Sequence, residues 1–333
     1  MRIQDVAKKA NVGVGTVSRV MNGNGYVSDA TREKVMKAIE ELNYTPNELA
    51  RNLFHKKTNI IAVIVPDIGY PYYATLVNEI EKVLREYDYK TMLCNTTGGT
   101  GNEKSNERDY LDMLERNMVD GVLTATHSLD SVSYNHIDRP MVSFDTPVLS
   151  DNIPVITVDH KKGGALAAQA FIDAGCTHVV QFKDKNMDRK YPFFVRHDEF
   201  ERVIKQAGIR CESYTMGWNQ FGHNYMEEAV RDCFHQYSNV DGVFGTDLLA
   251  LNFMRCAQEA GKSIPKDLKV VAYDGTYIVD MACPTITTVV QPIPQIARAG
   301  VEELLKQING NKSLTNCITL NIDIHYGIST EKS

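Results

Sequence analysis

Apolar positions recur at two different periods along this chain, and the change of period divides it. Ile3, Val6, Ala7 and Ala10 stand at i, i+3, i+4 and i+7, one face of a short helix. Asn11-Val12-Gly13 interrupts that spacing, with Gly13 suited to a turn position that favours no side chain. A second short helical pattern runs through Thr16, Val17, Ser18, Arg19 and Val20 and ends near Asn22-Gly23-Asn24-Gly25. Ser28 offers an N-cap for a third helix striped by Val35, Ile39 and Leu42. From Asn59 onward, strand-like apolar runs alternate with amphipathic helices, which predicts parallel α/β layers. Ile60 to Val65 reads as a buried strand, followed by a helix from Tyr72 to Tyr87, a strand at Met92-Leu93-Cys94 and a helix across Asp109 to Arg116.

The second region also echoes itself. Val119-Asp120-Gly121-Val122 recurs as Val240-Asp241-Gly242-Val243, and Met141-Val142-Ser143-Phe144-Asp145 recurs as Val270-Val271-Ala272-Tyr273-Asp274. Two related lobes are expected, with ligand groups at the C-terminal ends of their strands facing each other across a cleft.

Charge sharpens this division. The net charge of −6 alone discourages a nucleic-acid partner. Residues 1–57, however, hold ten Lys/Arg against six Asp/Glu, a balance of +4, leaving −10 for the remainder. A basic head on an acidic body suits a polyanion-binding module, although +4 is modest. With 43% hydrophobic residues the chain is ordinary globular material, long enough for two or three domains. Its apolar runs fall far short of the ~20 residues that span a bilayer, and its start has no apolar stretch of signal-peptide length. Seven scattered cysteines never form C-x-x-C, which argues for a reducing cytoplasm and against zinc or a disulfide framework. No membrane partner is expected.

Catalytic motifs fail on inspection. Gly98-Gly99-Thr100-Gly101-Asn102-Glu103-Lys104-Ser105 resembles a phosphate loop but places Glu103 where glycine is required. Gly13-Val14-Gly15 follows a helix and lacks the third glycine of a dinucleotide fingerprint. No H-E-x-x-H or G-x-S-x-G occurs, and the nine histidines show no ligand spacing; His178 reads as structural. A binding protein without cofactor or metal, rather than an enzyme, is the expectation.

The string Asp5-Val6-Ala7, Thr16-Val17-Ser18-Arg19-Val20, Val27-Ser28, Thr31-Arg32 and Leu42-Asn43-Tyr44-Thr45-Pro46-Asn47 resembles the headpiece of the LacI/GalR repressors. The resemblance implies that Val14, Gly15 and Arg19 face base edges, Arg19 reading guanine. It places Thr16, Ser18, Asn22, Thr31 and Arg32 near phosphates, with Gln4 and Ala50 completing the DNA-facing set. Pro46-Asn47-Glu48-Leu49-Ala50-Arg51-Asn52-Leu53 resembles the family's hinge helix, too short to be stable alone. Paired across a dimer, it could push Leu53 into a minor-groove step; the alternative for Leu53 is a buried linker leucine. Members often carry Ser where Gly13 stands and a polar base reader at Gly15, so the operator sequence does not transfer. The resemblance continues into a periplasmic-binding-protein-like core. Cys94-Asn95, Asn152-Ile153-Pro154 and Tyr273-Asp274-Gly275-Thr276 look most like the sucrose-operon type.

The expected architecture is α/β: a helix-turn-helix headpiece (1–45), a hinge helix and linker (46–58) and a core (59–333) of two doubly wound parallel-sheet lobes. The lobes would be discontinuous, roughly 59–160 with 291–320 crossing, and 161–290. Asp145, Asp247 and Asp274 each follow an apolar run, where a carboxylate either takes ligand hydroxyls or caps a turn or helix. Resemblance adds Arg196 as effector anchor, with Glu199 at a usual glycine, together with Gln291, His127 and the aromatics Tyr70, Tyr72 and Tyr73. Trp218, the only tryptophan, suits either stacking on a sugar ring or the core. The combined reading is a homodimeric repressor of a pseudo-palindromic operator, controlled by a sugar or sugar phosphate in the cleft. Two alternatives are a regulator using a corepressor (a metabolite or phosphorylated carrier protein) and a pure sugar-binding protein.

Overall fold

The computed structural model describes residues 1–22, 25–44, 57–96, 103–115, 119–126, 134, 138–145, 153–185, 191, 193–217, 223–311 and 316–332. Two compact units result, Met1–Thr58 and Asn59–Ser333. In the first, α1 (Ile3–Ala10), α2 (Val14–Asn22) and α3 (Asp29–Glu41) close over a core of Val6, Val17, Val20 and Val35. The apolar stripes read from the sequence therefore meet one another. The left-handed residue of the first turn is Asn11 (φ 54°), not Gly13. Asparagine tolerates that region because its short polar side chain bonds locally. Gly13 instead starts α2, its carbonyl accepting from Thr16 N at 2.9 Å and Val17 N at 3.2 Å, with no side chain to add a cap. Ser28 stands at the N-cap of α3, but its hydroxyl pairs with that of Thr31 rather than with a backbone N–H.

The second unit holds two six-stranded sheets. One is formed by β1 (Ile60–Val65), β2 (Lys90–Asn95), β3 (Gly121–Thr124), β4 (Met141–Phe144), β5 (Val155–Val158) and β11 (Cys317–Leu320), in the order β11-β5-β4-β3-β1-β2. The other has β6 (His178–Asp184), β7 (Arg210–Met216), β8 (Gly242–Phe244), β9 (Lys269–Asp274), β10 (Thr287–Val290) and β12 (Asp323–His325), in the matching order β12-β10-β9-β8-β6-β7. Among the described residues, all pairings are parallel except that of β10 with β12. Strands such as Ile61–Val65 are buried along their length because helices cover both faces, hence the unbroken apolar runs. These helices are α4 (Pro71–Glu86), α5 (Glu103–Glu115), α6 (His160–Asp173), α7 (Phe194–Gln206), α8 (His223–Gln236), α9 (Asp247–Glu259) and α10 (Ile293–Ile308).

The chain passes between the sheets three times: from β5 into α6, which packs on β9, β10 and β12; from β10 into α10, which packs on β3, β4 and β5; and from β11 into β12. Beyond the expected passage near residue 291, the 323–330 segment returns to the second sheet. The sequence echoes occupy equivalent strands. Asp120, before β3, accepts from Asn59 N at 2.8 Å, pinning the start of β1. Asp241, before β8, accepts from Thr177 N at 2.7 Å and His178 N at 2.9 Å, pinning the start of β6.

Candidate functional site

The other echo builds the cleft. Asp145 and Asp274 follow and end equivalent strands, β4 and β9, both at positive φ (52° and 122°), and both line a cavity of about 130 Å³ between the lobes. Tyr70, Tyr72 and Tyr73, at the start of α4 around its N1 proline Pro71, form one wall. Their rings meet at 5.9 Å (Tyr70–Tyr73) and 5.4 Å (Tyr72–Tyr73). Burial pushes all three phenols up, so they stay protonated and can donate. Arg196 in the first turn of α7 and Gln291 just past β10 also line the cavity.

Each polar group is held by named partners. Asp145 Oδ1 accepts from Thr157 Oγ1 at 2.6 Å and lies 3.0 Å from His160 Nε2. Gln291 Nε2 donates to Asp274 Oδ1 at 2.9 Å. Burial, then the neighbouring Asp247 charge, pushes the Asp274 carboxyl well up. The Arg196 guanidinium lies 4.4 Å over the Tyr273 ring, and its Nε donates to His197 Nε2 at 3.3 Å. His197 can accept because burial, then the charges of Arg196 and Lys183, hold it well below the usual imidazole range. Asp184, at the end of β6, joins the wall; burial pushes it up to about 6 against the opposing pull of Arg196.

Of the residues singled out in the sequence, Tyr70, Tyr72, Tyr73, Asp145, Arg196, Asp274 and Gln291 converge on this cavity. Asp247 does not. Its carboxylate accepts from Thr276 N at 2.6 Å, Thr276 Oγ1 at 2.7 Å, Thr288 Oγ1 at 3.0 Å and Gly275 N at 3.3 Å. With its lone pairs so engaged, it braces the loop that carries Asp274 instead of meeting a ligand. Thr246, not Asp247, occupies the N-cap of α9. Glu199 turns to Arg202 (2.9 Å). His127 and Trp218 lie outside the described residues, as do Ala50, Leu53 and the Gly98-Gly99-Thr100-Gly101 loop. Sequence reasoning missed His160, Asp184 and Phe193, which also line the cavity.

In the head, Gln4, Val14, Gly15, Arg19 and Arg32 are exposed, Thr16, Ser18 and Thr31 half-buried, and Val17 and Val20 face inward. Asn22 is the last residue of α2. One face of α2 therefore stands open, and a side chain at Gly15 would meet nothing within 4 Å.

The profile of bacterial regulatory proteins of the lacI family matches residues 2–47. Over 331 residues the chain is 37% identical to the sucrose operon repressor of Pediococcus pentosaceus, covering 98% of this chain and 99% of that protein. The chain belongs to the lacI family. The profile of periplasmic binding protein-like domains matches residues 168–330 of this lacI-family core. The ribose operon repressor of Halalkalibacterium halodurans is 35% identical, over 92% of this chain and 90% of that one. Among solved structures, a complex of the transcriptional regulator CelR with cellobiose superposes with a TM-score of 0.68 at 27% identity, covering 99% of both chains. As a lacI-family regulator the protein joins a DNA-binding helix-turn-helix to a ligand-binding core. Among the described residues no helix is long and apolar enough to cross a membrane.

Proposed function

We propose that this lacI-family protein is a homodimeric repressor whose grip on a pseudo-palindromic operator is set by an uncharged sugar in the interlobe cavity. The observation that carries the reading is the cavity's polar lining: Asp145, Asp184 and Asp274 against one guanidinium, Arg196, with tyrosines alongside. Carboxyl groups hydrogen-bond to hydroxyls whether ionised or protonated, so a polyol satisfies them. A phosphosugar would bring a dianion into a cavity where burial already disfavours the charged forms of Asp184 and Asp274, and the same desolvation opposes a further anion. The sucrose and ribose operon repressors among its relatives, and the cellobiose held by CelR, support a sugar as the ligand class. Asp145, Arg196, Asp274 and Gln291 would bind hydroxyls, and Tyr70, Tyr72 and Tyr73 would pack the ring. Val14, Gly15 and Arg19 would face the bases, with Gln4, Thr16, Ser18, Asn22, Thr31 and Arg32 on the backbone.

The test pairs a thermal-shift screen of mono- and disaccharides and their phosphates with operator binding by fluorescence anisotropy. An unphosphorylated sugar should stabilise the protein by mass action and change operator affinity. Weaker operator binding identifies an inducer, and tighter binding a corepressor. Stabilisation by phosphosugars alone would overturn the uncharged-ligand reading. Arg19→Ala should cost about 1–3 kcal/mol of operator binding with the fold intact; DNA affinity unaffected by this change would leave only a sugar-binding protein.

A further inference from the structure

His160 has no task in the sugar reading, yet both nitrogens of its ring are engaged. It opens α6, immediately past the first passage between the lobes, and is 3% exposed. Its Nε2 lies 3.0 Å from Asp145 Oδ1 and its Nδ1 2.9 Å from the Tyr273 hydroxyl. Asp145 follows β4 in one sheet and Tyr273 lies in β9 of the other, so one imidazole spans both lobes.

An ionised Asp145 accepts from Nε2–H, and the neutral imidazole then accepts the Tyr273 O–H at Nδ1. The Arg196 guanidinium in turn stacks on the same tyrosine, 4.4 Å over its ring. Arg196 Nε donates to His197 Nε2, and His197 Nδ1 lies 3.0 Å from Gln181 Oε1, anchoring the far end in β6. Space is reserved for the link: a Cβ at Gly163 would sit 2.6 Å from the Tyr273 hydroxyl, so only glycine admits it there. Both ends of the link, Arg196 and Asp145, line the cavity, while Tyr273 is fully buried.

We propose that His160 is a positioning residue that couples the ligand to the lobe arrangement, by joining Arg196 of one lobe to Asp145 of the other through Tyr273. A ligand that binds Arg196 and Asp145 re-aims both ends of this link, and so favours one spacing of the lobes over another. The inference rests on the sugar reading above. The competing explanation is a satisfied polar plug, which would support stability and nothing more.

The two are separated by the coupling factor, operator Kd with sugar divided by operator Kd without it. It is measured on the full chain with sucrose, D-ribose and cellobiose as probes, carrying forward whichever moves the wild type. Tyr273→Phe keeps the ring under Arg196 and removes only the hydroxyl. It should bring the factor toward one by about 2- to 30-fold, the range over which single residues modulate coupling. His160→Ala should do the same, and the double variant should add nothing beyond the larger single effect. A factor within twofold of wild type in Tyr273→Phe overturns the inference, whatever happens to melting temperature. A move away from one overturns it too. Should His160→Ala fail to fold, Tyr273→Phe decides alone. A wild type that responds to no sugar fails the sugar reading itself, and the inference falls with it.

Discussion

Asp145 in the first lobe and Asp274 in the second hold equivalent places after and at the end of β4 and β9, with the same unusual backbone sign. Their surroundings differ. One oxygen of Asp145 already has two partners, Thr157 and His160, whereas Asp274 is 4% exposed, accepts from Gln291 and is pushed up by burial and by Asp247. The cation stands in the second lobe as well, because Arg196 belongs to α7. A repeated frame thus fixes where a carboxylate stands, and its neighbours decide what it is free to bind. The comparison predicts a division of labour: the second lobe anchors the ligand, and the first reports its presence.

The largest test of that division is ligand affinity by calorimetry. Asp274→Ala should weaken the sugar by at least ~100-fold, about 3 kcal/mol for a lost hydrogen bond to the ligand and an amide left unpaired. Asp145→Ala should cost only about tenfold; equal losses would erase the distinction between the lobes. A second contrast lies in the paired glycines of the Val-Asp-Gly-Val echo. A Cβ at Gly242 would lie 2.7 Å from Val179 Cγ1 and 2.8 Å from Phe171 Cε1, while one at Gly121 would lie 3.0 Å from Leu304 Cδ1 and 3.2 Å from Ile308 Cδ1. Rotamer changes in Leu304 and Ile308 relieve the second contact more easily than the first. Gly242→Ala should therefore cost about 1–3 kcal/mol in urea unfolding and Gly121→Ala less than about 1. A larger cost at Gly121 would show that the two sheets are not packed as described.

The aspartates of the same echo give a smaller effect. Asp241 serves Thr177 N and Oγ1 (both 2.7 Å) and His178 N. Asp241→Ala should cost about 2 kcal/mol in urea unfolding, and no measurable cost would contradict the bond assignments. The smallest effect concerns pH. Asp184 titrates at about 6 in the folded protein, against about 3.9 in an unfolded chain. The folded state therefore holds its proton longer, and this group lowers stability as pH rises from ~4 to ~6, with no further change above. Asp184→Asn should gain in melting temperature relative to wild type across that window and level off beyond it. A gain that does not vary with pH would remove burial of the charge as its cause.

Much of this arrangement was readable from residue order. The helical stripes of the head, the strand runs and both echoes depend on local period, which survives in a single sequence. Asp145 and Asp274 were found because a carboxylate after an apolar run is costly unless partnered. The same rule misassigned Asp247, since it cannot tell a partner in a ligand from Thr276 and Thr288, which come from strands and loops 29 to 41 residues away. Applied to the end of β6 the rule selects Asp184. Just past Val158 it selects Asp159, which caps α6 by accepting from Lys162 N, and it passes over His160. His160 carried no motif because its meaning lies in a pairing with Tyr273, 113 residues distant. The turn at Asn11 was assigned to Gly13 because glycine is the commoner left-handed residue, and asparagine's tolerance is weaker evidence.

The three passages between the lobes have a mechanical consequence. The first and third are tied to each other, Asp159 N donating to Leu320 O at 2.9 Å and Lys162 Nζ to Asn321 Oδ1 at 2.8 Å, and the second leaves β10 beside the third, where Val290 pairs with Asp323. Two bodies hung on one strand swivel about any axis, but three adjacent ties leave a single soft axis, bending along the line of the ties. A joint of that kind behaves as a valve. Whatever shape of molecule fills the cleft, the lobes have one displacement with which to answer it. Wall residues such as Tyr72, Asp184 or Phe193 can then differ in what they fit while that displacement stays the same.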